Sequence, residues 1–547
     1  MSLRIACAQL NVRVGDMAGN VERIIGAAEQ AQGRGADILL TSELSLCGYS
    51  PADDLLRPAF QQRVDEAVES IRLASERLSS LYWVVGYPVQ RQARRFSAAG
   101  VFFQGRLIGE YLKAELTNHG VADERRYFES AAEPCVFGIR GVRCALLMSE
   151  DGWHPAPAVR ARTAGAGLIL RLDASPYHQT GFEQRLQAGR QHACSQGMAI
   201  VACNPVGGQD ELLFDGQSHV LDAAGQLVGR ARAFEEDLLL VDVEPGDDGA
   251  LQLQARVEAA VDELPEVHRA LVLAIRDYVG KNGFGGVILG LSGGIDSALV
   301  AALAVDALGA ERVRTVMMPS PYTTDMSVQD AEDMARRLGI RHECWSIVPC
   351  FEAFRSTLAQ TFAGLPEDTT EENIQARIRG TLLMALSNKT GWLVLTTSNK
   401  SEVAVGYSTL YGDMAGGFAP LKDVSKTLVY RLSSYRNTLS EVIPERIIMR
   451  APSAELRPDQ KDQDALPPYD LLDRIVTAYV EQNQSASELV EQGMPAEAVT
   501  QVVRLLRISE YKRQQGPIGP RITARAFGAD WRYPITSGFR ETLGRNQ

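Results

Sequence analysis

The stretch VILGLSGGIDS, residues 287–297, decides how the C-terminal half of the chain is read. Its first residues are continuously apolar, as a strand buried on both faces of a parallel sheet requires. A glycine-rich turn follows, and an apolar helical pattern then runs from Asp296 to Leu308. A strand that ends in a turn and opens a helix is where an α/β sheet binds its ligand. Gly293 and Gly294 let the backbone approach an anion, and the helix turns its N–H groups and positive dipole end toward it. Ser292 and Ser297 add hydroxyl donors, so Gly290, Leu291, Ser292, Gly293, Gly294, Ile295, Asp296 and Ser297 form the candidate phosphate-binding turn. The turn lacks the Lys-Ser/Thr of a Walker A loop and is not GxGxxG, which disfavours an ordinary ATPase or a dinucleotide fold. Asp296 is out of place beside phosphates unless it ligates Mg²⁺. The plain alternative is a glycine turn with Ser and Asp as helix caps.

Outward from this turn, strands and helices alternate. A helical pattern ends near Asn282, VRTVMMP (313–319) reads as a strand, a helix runs to Leu338, and strands are expected around Cys344 and at Trp392–Thr397. That alternation predicts a doubly wound parallel sheet, and the tail from Pro444 reads as helical. In residues 1–245 strands are expected at Arg4–Leu10, Ala36–Leu40, Tyr82–Pro88, Gly100–Phe103, Val142–Met148, Gly167–Leu172 and Ile200–Asn204, with helices from Asn20 and Gly181. This mixture suggests a layered α/β sandwich. EPGDDGA (244–250) is the best linker candidate. The expected division is therefore a domain at 1–245, a linker at 246–264 and a domain at 265–547.

The chain has 547 residues, 23% of them charged, and a net charge of −12. That balance speaks against a nonspecific nucleic-acid binder or a protein of acidic membrane surfaces. Eight cysteines occur without a CxxC pair, and no HExxH is present, so a structural zinc site is not expected. Scattered in this way, the cysteines read as buried free thiols of a reducing compartment. No apolar run reaches about 18 residues, and the first residues do not read as a signal peptide. The expectation is a cytoplasmic protein.

GLSGGIDS (290–297) resembles the SGGxDS signature of the ATP pyrophosphatases, which have an adenine nucleotide alpha hydrolase-like fold. Further segments narrow the resemblance: MPSPYTTDMS (318–327), NIQARIRGTLLMALSNK (373–389), TTSNKSEVAVGYSTLYGDMAGGFAPLKDVSKTLVYRL (396–432), PSAELRPDQKDQDALPPYDLLD (452–473) and EYKRQ (510–514). Together they are similar to the synthetase domain of the NAD synthetase family, in the family's order, over most of 265–520. The resemblance implies ATP-dependent amidation of deamido-NAD through an adenylated intermediate, with release of AMP and pyrophosphate. It implies ATP contacts at the glycine turn, Thr397 and Lys426, and Mg²⁺ ligands in Asp296 and Glu402. It implies contacts to deamido-NAD from Asn373, Arg377, Glu402, Asp413, Lys422, Asp423 and Lys512. Read from the residues alone, Arg377 and Arg379 are solvated helix charges or partners of Glu371, and Glu402 is a first-turn helix acid. Residues 407–426 are rich in glycine and small side chains, as a lid over a water-sensitive intermediate would be.

Residues 1–245 resemble the carbon–nitrogen hydrolase (nitrilase) fold, an αββα sandwich that in glutamine-dependent members releases ammonia from glutamine. The resemblance places the general base at Glu43 in LLTSELSLCGY and the stabilising lysine at Lys113 in EYLKAEL. The nucleophile position falls on Ser149 in ALLMSEDGWHP, where the family has cysteine. A thiol, with a reference pKa of about 8.5, is far easier for a carboxylate to deprotonate than a serine hydroxyl. In the glutamine pocket His119 stands for a family Tyr and Gly181 for a family Lys, while Ser175 is retained. The expectation is an NAD synthetase fed chiefly by free ammonia; the alternative is a fully glutamine-dependent enzyme with a working N-terminal domain. Family members of this layout form homo-oligomers, commonly octamers in bacteria. A GMP-synthetase-like amidating enzyme is the nearest catalytic rival, and a dinucleotide-sensing module is the non-enzymatic one.

Overall fold

The structure is a computed structural model and describes residues 2–246 and 250–541. It divides into two compact units, Met1–Val261 and Asp262–Gln547. The first unit holds two large sheets. One has seven strands in the spatial order Leu251–Ala255, Asp237–Pro245, Leu3–Gln9, Ile38–Leu40, Tyr82–Arg91, Arg94–Phe103 and Arg106–Leu112. The other has six, ordered Leu227–Arg230, His219–Leu221, Ala199–Cys203, Leu168–Leu172, Val142–Met148 and Val136–Ile139. Side-chain alternation along Leu3–Gln9 shows the layering. Leu3, Ile5 and Cys7 join the core shared with Leu168, Leu170 and Val201 of the second sheet. Ala6 and Ala8 face the other way, into a core with Ile24 and Ala28 of helix Met17–Gly33 and Val64 and Ile71 of helix Pro58–Arg77. The second sheet is covered by Ala158 and Ala161 of helix Pro155–Thr163 and Phe182 and Leu186 of helix Gly181–Gln196. This is the αββα sandwich expected from the sequence.

In the second unit four strands form a parallel sheet in the order Arg341–Cys344, Val313–Met317, Val287–Gly290 and Leu393–Val394. The chain builds outward from Val287–Gly290 in one direction and returns to its other side with Leu393–Val394. The reversal leaves a crevice at the carboxyl end of the first strand, which puts the glycine turn at the switch point of the sheet. Helices beyond Lys400 form a second core around Leu472, Ile475, Val502 and Leu506.

Several expectations are corrected. Within the linker expected at 246–264 lie the strand Leu251–Ala255 and the first residues of helix Glu263–Lys281. In that strand Leu251, Leu253 and Ala255 pack on the core and Gln252 and Gln254 are exposed, a strand alternation over which the linker reading from EPGDDGA was extended. Residues 247–249, at the centre of the linker candidate, lie outside the described residues. The strand expected at Gly100–Phe103 extends back to Arg94, in a hairpin with Tyr82–Arg91 whose tip is charged and exposed. Three cysteines, Cys194, Cys344 and Cys350, are exposed rather than buried. Among the described residues no helix is long and apolar enough to cross a membrane. Leu170 is fully buried between the two sheets, so Leu170→Ala should destabilise the first unit by about 2–5 kcal/mol. Denaturant melts that separate the two units would read this as a shift confined to one transition.

Candidate active sites

One contact shapes the glycine turn. Gly293 has φ +78°, and a Cβ built there would lie 2.5 Å from the Ser327 carbonyl oxygen and 2.9 Å from its Cα. Only glycine accepts both the left-handed backbone and that approach. The turn is tied internally. Ser292 N–H donates to Ser297 Oγ (3.2 Å), Ser297 Oγ donates to the Gly294 carbonyl (3.0 Å), and Gly294 N–H donates to Ser292 Oγ (3.3 Å). Helix Ile295–Leu308 begins without a side-chain cap, which suits its N-terminus to an anion. Two clefts of about 220 Å³ each meet at the turn. The first is polar, walled by Ser292 to Ser297, Glu402, Lys426, Arg450 and Asp462. The second is walled by Gly290, Leu291, Met317, Met318 and Arg379. Thr397 and Asp413 line both.

The electrostatic centre of the polar cleft is Lys426. Its Nζ lies 2.5 Å from Asp296 Oδ2 and 3.3 Å from Glu402 Oε1, and Asp296 Oδ1 accepts from Asn399 Nδ2 at 2.9 Å. Burial would lower the Lys426 ammonium, but Asp296 and Glu402 outweigh it and raise its pKa. Burial, then the charges of Asp296 and Asp462, raise Glu402 against the pull of Lys426. One ammonium thus faces two carboxylates, and the buried Glu402 holds its proton to a higher pH than a free carboxyl does. Among the described residues no group of three or more Asp, Glu, His or Cys is arranged to hold a metal ion. Two oxygen-donor carboxylates nevertheless suit Mg²⁺, which takes one or two from the protein and fills its shell with phosphate and water.

The first unit has a comparable centre. Glu43, Lys113 and Ser149 follow the strands Ile38–Leu40, Arg106–Leu112 and Val142–Met148 at their carboxyl ends. Lys113 Nζ lies 3.0 Å from each Glu43 oxygen and 2.9 Å from Glu124 Oε1, all three side chains being buried. Ser97 Oγ donates to Glu43 at 2.8 Å. Burial and Glu124 raise the Glu43 pKa, while Lys113 and a hydrogen bond from Ser149 hold it down. Ser149 has φ +28°, a sparsely populated backbone for a serine of the kind that clusters at functional sites. Its Oγ accepts from the Ala174 N–H at 2.8 Å.

Comparison with known proteins now fits this geometry. The NAD synthase family matches residues 267–516 and the carbon–nitrogen hydrolase family residues 4–251. The glutamine-dependent NAD(+) synthetase of Acinetobacter baylyi is 45% identical over 98% of this chain and 99% of its own length. That of Xylella fastidiosa is 46% identical over the same shares. The solved glutamine-dependent NAD+ synthetase of Acinetobacter baumannii, in complex with ADP, superposes with a TM-score of 0.79 at 42% identity, covering 99% of this chain and 100% of that one. The chain belongs to the glutamine-dependent NAD(+) synthetase family.

As an NAD synthetase it is an ATP-dependent ligase, and the walls of its clefts can be set against the sequence reading. The structure gathers the glycine turn, Thr397, Glu402, Asp413 and Lys426 around the two clefts. Asp413 accepts from the Thr409 N–H at 2.8 Å. The remaining expected residues lie off those walls. Asn373 Oδ1 accepts from Thr409 Oγ1 (2.8 Å), and the exposed Arg377 donates to the Leu410 carbonyl (3.2 Å). Glu371, the partner considered for Arg377 and Arg379, instead caps its own helix through the Asp368 N–H (2.9 Å). Lys422 donates to the Pro517 carbonyl (2.7 Å), and Lys512 to the carbonyls of Gly406 and Ser408 (2.7 Å each). Both lysines line a small cavity of about 30 Å³. Asp423 is buried among the N–H groups of Ile522 and Thr523 and the Lys400 ammonium. In the first unit His119 is exposed, 3.4 Å from Glu150, Ser175 N–H donates to Asn204 (2.9 Å), and Gly181 opens its helix.

Four features were missed. Arg379, left unassigned by the sequence reading, lines the second cleft and donates to the Met318 carbonyl at 3.0 Å; burial pulls its guanidinium down to about 10. Residues 450–455 wall the polar cleft, whereas the sequence reading used 452–473 for the resemblance without giving it a site role. In the expected lid, Gly416 and Gly417 serve close packing: added Cβ atoms would meet Thr396 Cγ2 at 2.6 Å and Leu393 Cδ1 at 2.4 Å. Asp151 joins the segments that carry Ser149 and Lys113. It accepts the N–H groups of Met148 (2.9 Å) and Glu115 (2.8 Å) and the Tyr111 hydroxyl (2.8 Å). The spacing of an acid two residues after Ser149 gave no hint of this, because its partners are mostly backbone. Gly293→Ala should cost about 1–3 kcal/mol in stability and weaken ADP binding at least about tenfold. Melting curves and nucleotide titration of the two proteins check both.

Proposed function

We propose that the second unit amidates deamido-NAD in two steps. The pyridine carboxylate of deamido-NAD attacks the α-phosphate of ATP, forming an acyl-adenylate and pyrophosphate, and ammonia then displaces AMP to give NAD. The observation that carries this is the glycine turn at the switch point of the sheet, with Lys426, Asp296 and Glu402 beside it. The turn and Lys426 hold the leaving pyrophosphate in the polar cleft, and the second cleft receives the adenosine. Asp296 and Glu402 would hold Mg²⁺, which when bound offsets charge on the phosphates. Contacts of deamido-NAD with Asn373, Arg377, Glu402, Asp413, Lys422, Asp423 and Lys512 belong to this proposal, as does a homo-oligomeric, octameric assembly that sedimentation would test. The cytoplasmic setting expected from the sequence suits eight free cysteines. Asp296→Ala should lower NAD formation from ammonium by at least about a hundredfold, read by NAD and AMP release from ATP and deamido-NAD; unchanged rates would remove the reading.

For the nitrogen donor, the full-length match to glutamine-dependent relatives favours glutamine over the expectation of chiefly free ammonia. The close array of Glu43, Lys113 and residue 149 supports it: Lys113 is placed to stabilise a tetrahedral oxyanion, and Glu43 to accept a proton. A second reading, chiefly ammonia-fed, has one observation on its side, the hydroxyl in place of a thiol at 149. Under the first reading wild-type protein forms NAD from glutamine at a rate near that with ammonium. Under the second, the glutamine rate lies about a hundredfold or more lower, and Ser149→Cys restores it if the pocket still binds glutamine. The base must be deprotonated to act, and its pKa is raised from 4.5. Glutaminase activity, followed alone as glutamate release, should therefore be lost as pH falls, starting well above pH 4.5.

A further inference from the structure

Glu455 stands on the irregular segment that walls the polar cleft, with φ +49°, a strained backbone for a residue with a side chain. Its Oε1 accepts from Ser327 Oγ at 2.9 Å and Thr324 Oγ1 at 3.2 Å and is ion-paired with Arg450. Arg450 Nη1 also donates to Ser327 Oγ at 2.6 Å. A guanidinium and two hydroxyls, from separate parts of the chain, thus converge on one anionic oxygen. The same donor set suits a phosphate oxygen, for which an arginine fork is the better match. The cradle adjoins the phosphate-binding turn, because Ser327 is the residue against whose backbone Gly293 packs.

We propose that Glu455 occupies, in the nucleotide-free protein, a subsite for a phosphate oxygen of the pyrophosphate that leaves ATP, and that it must swing out for that group to bind. The proposal rests on the amidation reading above and adds to it a residue that competes with the leaving group. A carboxylate and a phosphate cannot share one set of donors, and their like charges repel. In the other direction, the returning carboxylate displaces pyrophosphate after adenylation, so the residue favours product release at the expense of ground-state affinity. If the subsite is open a tenth of the time, apparent affinity for pyrophosphate falls about tenfold.

The test is product inhibition by inorganic pyrophosphate against ATP, in the full chain, with saturating ammonium so that the first unit does not enter. Glu455→Gln should lower the inhibition constant about tenfold and lower KM for ATP with it. Arg450→Lys, which keeps the charge but loses the fork, should raise the constant. A residue that merely braces the cleft wall would give the opposite sign, so an unchanged or raised constant in Glu455→Gln overturns the proposal. Should Glu455→Gln not fold, the Arg450→Lys constant decides, and no rise there overturns it. Failure of the amidation reading looks different, since the wild-type protein would then form neither NAD nor AMP.

Discussion

The synthetase site depends on a buried lysine that two carboxylates share. Lys426 is almost fully buried and would be untenable there without Asp296 and Glu402. Each carboxylate comes from a different element, Asp296 from the helix after the glycine turn and Glu402 from helix Lys400–Val405. The lysine therefore ties the phosphate turn to the segment beyond the last strand. Burial, then Asp296 and Asp462, raise Glu402 against the pull of this lysine, and a divalent cation held by the two carboxylates would favour their charged forms. A structural bond and an electrostatic demand are here the same interaction.

The same solution recurs in both units. Lys113 lies between Glu43 and Glu124, and Lys400 between Asp423 and Glu481. The Lys400 cluster lies off both clefts; with Thr523 and the Arg525 carbonyl it binds distant parts of the chain together. A lysine held by two acids is thus no mark of catalysis in this molecule. What distinguishes Lys426 and Lys113 is their company, an uncapped helix and glycine turn in one case and a strained serine in the other.

Legibility in the sequence followed the range of the interactions. The phosphate turn is local, so Gly290 to Ser297 could be read from one run of residues, and the parallel sheet followed from alternation around it. The strand Leu251–Ala255 carries the alternation of a half-buried strand, but it is short and follows a Pro-Gly-acid run whose turn chemistry was read as continuing through it. Glu455, Arg450 and Asp151 were not legible at all. Their roles arise from partners more than a hundred residues away, as for Arg450 and Ser327, or from backbone N–H groups that carry no sequence signal. The resemblance carried Asp423 and Lys422 to a substrate role, and in the structure Asp423 accepts from the Ile522 N–H while Lys422 donates to the Pro517 carbonyl.

Residue 149 presents the converse case, legible in sequence and nearly silent in structure. Serine and cysteine share a shape, so the turn, the strained φ and the hydrogen bond from Ala174 would be met by either. Glu43 and Lys113 are packed by Ser97, Glu124 and the strands beneath them, none of which depends on the atom at the tip of residue 149. The fold therefore persists whether or not the nucleophile is competent. Competence turns on acidity: a raised glutamate is matched to a thiol several pH units more readily than to an alcohol. Glu43 and Glu124 keep Lys113 charged in either case. A serine or a cysteine at 149 would leave the glycine turn, Lys426, Asp296 and Glu402 of the second unit as they are.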